Sequence, residues 1–326
     1  MDKPYIICLI PVKNEAWILD RCLQTASLWA DKIIVADQMS DDGSPEIAVK
    51  YSKVQLIRNT SAQFNEPERQ KLLIDAARKI PYDGKKLLIA LDADEMLTAN
   101  LLDSPEWQKM LDAPVGTVFQ FTLLNLYPDR EKYWHGGTYF WGVMDDGKST
   151  HEGALIHSKR IPIPANVMYF ICEDIKVFHY QYADWKRMQS KHRWYQCFEL
   201  LNRPHIRPLS IFRTYHHMYA LRENQYYSVE NKWFTNYEKI GIDMRTIHQD
   251  KEYRWDKTVS ELFQEYGKKH FASLNIWQNE DPKNDPRTPY QRLVHRYLLT
   301  TQMAAHRPSI LGKCIRVCDK ILKFTL

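Results

Sequence analysis

The segment Leu87-Leu88-Ile89-Ala90-Leu91 runs straight into Asp92-Ala93-Asp94-Glu95, so an apolar strand ends in three carboxylates interrupted by one small residue. A continuous apolar run marks a strand buried on both faces, as in a parallel sheet. Open α/β sheets bind ligands outside the carboxyl ends of such strands. Oxygen donors there suit a hard divalent cation, Mg²⁺ or Mn²⁺, and such a cation suits a diphosphate. A solvated acidic turn would carry the same residue types, and the segments in front decide between the two.

Those segments alternate. Tyr5 to Ile10 is a short apolar run closed by Pro11, and Ala16 to Leu28 carries Trp17, Leu19, Cys22, Leu23 and Ala26 at helical spacing. Ile33 to Ala36 reads as a second buried strand, ending at Asp37 before the turn-forming Ser40-Asp41-Asp42-Gly43-Ser44. A helix from Pro45 to Tyr51, a strand from Val54 to Ile57, a helix from Pro67 to Lys79 and the strand before Asp92 complete a βαβαβαβ series. Such alternation implies right-handed crossovers and a parallel sheet, an α/β fold. No Gly-x-Gly-x-x-Gly follows the first strand and no Gly-x-x-x-x-Gly-Lys-Ser/Thr occurs, so the usual dinucleotide site and the P-loop both lose support.

Ile10-Pro11-Val12-Lys13-Asn14-Glu15 follows the first strand and Asp37-Gln38-Met39-Ser40-Asp41-Asp42-Gly43-Ser44 the second; Glu68-Arg69-Gln70-Lys71 lies on the third helix, and Asp92-Ala93-Asp94 ends the fourth strand. Together these four motifs resemble the nucleotide-binding half of family-2 glycosyltransferases, whose fold is GT-A: a Rossmann-like, mostly parallel sheet flanked by helices. The family's second-strand turn reads Asp-Asp-Gly-Ser-x-Asp-Gly-Thr, and here Gln38 and Met39 replace its second Asp and first Gly. The resemblance implies roles. Asp37 would accept a hydrogen bond from a pyrimidine N–H while Pro11, Asn14 and Glu15 border the base. Asp92 would reach the ribose or a metal-bound water, and Asp94 would ligate the Mg²⁺ or Mn²⁺ that bridges the phosphates. Arg69 or Lys71 would add positive charge beside the diphosphate.

Val118 to Leu126 reads as a strand, and Tyr133 to Phe140, with Gly136-Gly137, as a loop or hairpin at the opening of the site. Trp141 is expected among the substrate-binding residues. Ser149-Thr150-His151-Glu152-Gly153 resembles the His-Glu signature of the branch similar to lipopolysaccharide core glycosyltransferases, and Phe178-His179-Tyr180-Gln181-Tyr182 its later His-Tyr-x-Tyr segment. Pro162, Pro164 and an extra apolar strand separate the two here. Inverting transfer requires a carboxylate that takes the proton of the attacking hydroxyl; Glu152 is the first candidate, and Glu173 and Asp174 the second. His151 would orient Glu152, and His179 would serve as a metal or diphosphate ligand.

Charge divides the chain of 326 residues unevenly. Residues 1–184 hold 20 Lys and Arg against 26 Asp and Glu, whereas residues 185–326 hold 25 against 14. A catalytic domain over 1–184 and a basic, aromatic, helical region over 185–326 on the acceptor side are therefore expected. Helices are expected over Trp185–Leu201, Ile211–Lys239 and Val259–Phe271, with a Pro-rich linker over 279–289. The stretch 309–324 sets Ile310, Leu311, Cys314, Cys318, Ile321 and Leu322 against Lys313, Arg316, Lys320 and Lys323. That pattern suits an anionic membrane surface and equally a helix packed on the domain. No signal peptide or apolar run of spanning length is found, and the six scattered cysteines lack a zinc pattern, which fits a cytoplasmic enzyme, peripheral at most on the membrane's inner face.

The expected activity is thus inverting, metal-dependent transfer from a nucleotide-diphospho-sugar, UDP favoured, to a glycan or glycolipid acceptor. A nucleotidyltransferase is the rival enzyme, disfavoured because no Gly-rich, Lys-containing loop follows the first strand. A non-catalytic nucleotide or glycan binder is the third reading, raised by Gln38 and Met39. No nucleic-acid motif accompanies the basic and aromatic residues of 185–237.

Overall fold

The computed structural model describes residues 3–61, 65–153, 158–203, 205–277, 282–305 and 308–322. They form two compact units: Met1–Ala183 with Tyr227–His248, and Asp184–Tyr226 with Gln249–Leu326. The expected division after residue 184 thus meets the first crossing, but residues 227–248 return to the first unit.

The first unit runs β1 (Tyr5–Val12), α1 (Ala16–Trp29), β2 (Lys32–Asp37), α2 (Ser44–Ala48), β3 (Val54–Arg58), α3 (Glu66–Arg78), β4 (Lys86–Ala90), β5 (Glu95–Leu97), α4 (Pro105–Asp112), β6 (Thr117–Leu126), β7 (Lys132–Met144), β8 (Met168–Ile171) and β9 (Val177–His179). The second unit opens with α5 (Trp185–Asn202) and α6 (Pro208–Tyr215); β10 (Tyr227–Ser228) and α7 (Lys232–Lys239) belong to the first; α8 (Arg254–Tyr266), α9 (Pro289–Ala305) and α10 (Ile310–Ile321) to the second.

The sheet order is β3-β2-β1-β4-β7-β6-β9-β5, with β10 on β7 and β8 on β6. Strands β3, β2, β1 and β4 are parallel, β7 and β6 fold as an antiparallel hairpin, and β9 runs parallel to β6. This is the mostly parallel α/β sheet that the alternation implied. Along β1 the side chains divide between two cores. Ile6, Cys8 and Ile10 share one with Leu19, Cys22 and Leu23 of α1; Ile7 and Leu9 share the other with Leu73, Ile74 and Ala77 of α3. Both faces of the strand are therefore dry, each large side chain contributing roughly 1.5–3 kcal/mol.

Several boundaries differ from the sequence reading. Pro11 does not close β1 but lies inside it, opposite Ala36 of β2. The β4 pairing has already ended at Leu9, so the missing N–H removes no ladder bond on that side. Helix α2 stops at Ala48 rather than Tyr51, and of the two readings of Tyr133–Phe140, loop or hairpin, the hairpin holds: the segment is the β7 arm of the β6–β7 hairpin. The expected helix over 211–239 breaks after Tyr215, where two short 3-10 turns and extended residues lead to β10 before α7. Residues 279–281 of the expected linker and 323–324 of the expected last helix lie outside the described residues.

Residues 227–248 complete the first core. Trp233, Phe234, Tyr237, Ile242 and Met244 are buried there, Phe234 stacking on Phe178 with ring centroids 4.7 Å apart. In the second unit Cys197, Ile211, Tyr215, Val259, Phe263 and Trp277 form a core of their own. Asp184 caps α5 by accepting from the Lys186 and Arg187 amides and also receives the Tyr253 hydroxyl at 2.6 Å. Arg213 of α6 ties α9 and α10 together, donating to the Leu298 carbonyl and Gln302 at 3.0 and 2.9 Å and pairing with Asp319 at 3.0 Å.

Candidate active site

The carboxyl ends of β2, β1 and β4 lie side by side, because Val12 registers with Asp37 and Leu9 with Ala90. The turn after β2 clasps the segment after β1. Asn14 donates its amide to Ser40 Oγ at 2.8 Å and its side chain to Asp41 at 2.6 Å, Glu15 N–H reaches Ser44 Oγ at 2.9 Å, and Ala16 N–H reaches Asp42 at 2.9 Å. This explains the Asn-Glu and Ser-Asp-Asp-Gly-Ser letters: they hold two strand tips in one rigid loop pair. Met39, at the position of the family's glycine, adopts φ 52°, the left-handed conformation that glycine takes without strain. Gln38 turns away to donate to the Ser61 carbonyl at 2.9 Å.

Asp37 is 5% exposed. Its Oδ2 receives the Ser40 amide at 3.2 Å, while Oδ1 is buried with no hydrogen-bond partner among the described residues. A buried carboxylate oxygen left so is costly, and a ligand N–H would satisfy it.

At the β4 tip the three carboxylates have separate fates. Asp92 stays partly exposed and accepts Arg160 Nη2 at 2.7 Å. Glu95, 1% exposed, is the most enclosed: it accepts from Arg160 Nη1, from Nη2 at 3.0 Å, from the Trp141 indole at 2.9 Å and from the Asp92 amide at 3.2 Å. The Arg160 guanidinium also lies 5.4 Å over the Trp141 ring. Burial works against the charge on Arg160, but Asp92 and Glu95 outweigh it and hold the guanidinium firmly protonated. Asp94, 7% exposed, faces His179 instead, Oδ2 to Nε2 at 3.8 Å.

The β5–β9 ladder makes this last pairing. Glu95 registers with His179, so the residue before Glu95 meets the imidazole. Asn125 Oδ1 lies 2.7 Å from His179 Nδ1, and because a carbonyl oxygen only accepts, Nδ1 carries the proton and Nε2 is turned toward Asp94. Gly136 on β7 leaves room for this: a Cβ there would sit 2.7 Å from Asn125 Nδ2 and 2.9 Å from Leu123 Cδ2.

The remaining candidates also lie in the first unit. Pro11 is buried, Arg69 is half-buried on α3, and Lys71 is exposed. Trp141, expected to touch substrate, is 2% exposed and serves Glu95 instead. Exposed Glu152 lines a cleft of about 640 Å³ with Asp146, Lys148, Lys159 and Asn166. Asp174 pairs with Lys232 at 3.0 Å. Burial pushes its carboxyl up, but the Ser104 and Lys232 hydrogen bonds outweigh that and hold it below the ordinary carboxylate range, so it is a weak base. Exposed Glu173 donates its amide to Glu106 at 2.7 Å. His151 Nε2 binds the Lys159 carbonyl at 2.6 Å rather than Glu152. Sequence reasoning missed Arg160, which follows Lys159 in Ser158-Lys159-Arg160-Ile161-Pro162, 65 residues from Glu95, with no spacing to signal its partners.

The chain matches the model of glycosyl transferase family 2 over residues 7–184. It belongs to that family. Solved structures similar to this family-2 chain are glucosyl-3-phosphoglycerate synthase from Mycobacterium tuberculosis (18% identity, TM-score 0.27, covering 38% of this chain and 44% of that one), 4-diphosphocytidyl-2C-methyl-D-erythritol synthase (16%, 0.30, 43% and 74%) and the inositol-1-phosphate CTP transferase from T. maritima (7%, 0.31, 55% and 89%). The match to the first spans less than half of that protein's length. Likenesses this loose bear on neither donor nor acceptor.

Family-2 glycosyltransferases commonly use a divalent cation. Among the described residues no three His, Cys, Asp or Glu groups converge on one point. Mg²⁺-type sites seldom need such a cage, being completed by water and substrate phosphates around one or two carboxylates. Asp94 with the Nε2 of His179 turned toward it, the ring oriented by Asn125, fits that partial donor set. Asp92 is engaged by Arg160.

Proposed function

We propose that this family-2 protein is an inverting glycosyltransferase that takes a sugar from a uridine-diphospho-sugar to a glycan or lipopolysaccharide-type acceptor at the cytoplasmic side of a membrane. The observation that carries the reading is the buried, unsatisfied Oδ1 of Asp37 at a strand tip. A carboxylate oxygen there selects a base that presents a ring N–H, as uracil does and cytosine does not. Thymine and guanine share that feature, so the nucleotide is settled by binding.

In this reading Pro11, Asn14 and Glu15 border the base, Arg69 and Lys71 lend charge to the diphosphate, and Asp92, held by Arg160, receives a ribose hydroxyl. Asp94 and His179 hold Mg²⁺ or Mn²⁺, which when bound supplies positive charge to the departing diphosphate. The acceptor hydroxyl oxygen attacks the anomeric carbon from the face opposite the diphosphate. The bond from that carbon to the β-phosphate oxygen breaks, its electron pair leaves with UDP, and the hydroxyl proton passes to Glu152. Configuration inverts because attack and departure are on opposite faces.

Calorimetric titration with UDP, GDP, dTDP and CMP, each with Mn²⁺ and with chelator, tests this. UDP should bind only with metal. Asp37→Ala should weaken it about 10- to 100-fold, the worth of one hydrogen bond to a charged group. Asp94→Ala should abolish the metal effect, and Glu152→Gln should spare binding while stopping turnover. A folded protein that binds none of the four, or an Asp37→Ala variant of unchanged affinity, would sink the reading.

A further inference from the structure

The last described helix packs with the wrong face, if its only task were to cover the second unit. Helix α10 rests on α9 through Gly312, Ile315 and Asp319, all buried, Asp319 held by Arg213 at 3.0 Å and by the Tyr297 hydroxyl at 3.1 Å. Its apolar stripe is turned outward. Ile310 is 82%, Leu311 62%, Val317 55% and Ile321 68% exposed, and Cys314 and Cys318 are exposed between them. At 100° per residue these six positions cover an arc of about 120°, the width of a face that normally meets a core. Lys313 and Lys320, both exposed, flank that arc on one side. Helix α9 independently exposes Leu293, Leu299 and Met303 together with Arg292 and Arg296. The sequence left two explanations for this amphipathic pattern, and the packing separates them: the helix already has its protein partner on another face.

We infer that α10 is a docking helix for an anionic bilayer surface, lying in the interface with Ile310, Leu311, Val317 and Ile321 among the acyl chains and Lys313 and Lys320 at the headgroups. Charge complementarity chooses this occupant. Lysines bordering an apolar stripe match acidic headgroups, whereas two copies of the stripe packed antiparallel would oppose their lysines. Among the described residues no helix is long and apolar enough to cross a membrane, so contact is from the surface. The inference gives the proposed lipopolysaccharide-type acceptor a physical setting but does not depend on the donor site.

Co-sedimentation of the full chain with vesicles of phosphatidylcholine alone, and of phosphatidylcholine with 30 mol% phosphatidylglycerol, tests it. The expected result is at least fivefold more protein pelleted with the anionic vesicles, reduced by high salt. Ile310→Asp with Ile321→Asp should cut binding about tenfold. Lys313→Glu with Lys320→Glu should remove the preference for anionic lipid. All four positions are exposed, so thermal melts and UDP titration should match the parent, which keeps this test apart from that of the donor site. The inference is overturned if the parent does not pellet, if binding ignores lipid charge, if the variants bind unchanged, or if light scattering shows a dimer that the isoleucine variants dissociate.

Discussion

Replacing Arg160 by Met keeps most of the side-chain stem and removes the guanidinium, and the consequence falls on Glu95. That carboxylate is 1% exposed and, among the described residues, would retain two neutral donors, the Trp141 indole at 2.9 Å and the Asp92 amide at 3.2 Å. Stripping one partner from a buried ion pair typically costs about 3–5 kcal/mol, because the remaining charge is neither hydrated nor neutralised. With a urea slope of about 2.5 kcal/mol/M for a unit of this size, the unfolding midpoint should fall by about 1–2 M. The companion change Glu95→Gln removes the stranded charge while keeping an acceptor for Trp141, so the double variant should recover most of the loss. Urea titrations at neutral pH, followed by tryptophan fluorescence, would read all four corners of the cycle. A single variant that loses less than about 1 kcal/mol, or a double variant no better than the single, would refute the assignment of Arg160 as counter-ion of the strand tip.

Acid should weaken the second unit first. Burial pushes His216 and His295 each down to about 4, and lowers His192 well below its ordinary value. The native state keeps these rings neutral while the unfolded chain protonates them near pH 6.5, so stability falls as pH drops from about 6.5 toward 4, by up to about 1.4 kcal/mol per pH unit for each histidine; urea midpoints flat between pH 7 and 5 would contradict this. Met39 supplies a backbone test: it is 47% exposed and left-handed, so Met39→Gly should gain about 0.5–1 kcal/mol and Met39→Val should lose about 1 kcal/mol or more. Thermal melts in which the two variants coincide would show that the turn does not hold the strain.

The parallel half of the sheet was legible because its signals are local. Continuous apolar strands, amphipathic helices and turn residues follow one another within ninety residues, and the strand tips fall where the alternation requires. Asp94 as a metal ligand and His179 as a metal or diphosphate ligand were each named from resemblance, but what brings the two together, the β5–β9 register and the Asn125 prop, is a long-range pairing that no window of sequence contains. Trp141 and Arg160 illustrate the other limit. A buried tryptophan and a surface-looking arginine carry no mark of the carboxylate between them, because its field is assembled from residues 46 and 65 positions away. The break after Tyr215 was hidden for a related reason: aromatic residues at helical spacing continue through 211–239, yet Trp233 and Phe234 pack their rings on Phe178 and Tyr237 is buried in the same core of the first unit.

That return of residues 227–248 sets an order of events during synthesis. When residue 183 has left the ribosome the first unit still lacks the segment that closes its core over Phe178 and Tyr180, and α5 and α6 emerge before it arrives. Those helices must wait in turn for α8 and α9, their apolar faces uncovered meanwhile. Neither unit can finish on its own stretch of nascent chain. Fragments cut at the apparent boundary after 184 should accordingly behave as sticky, incompletely folded species rather than as a free-standing catalytic half.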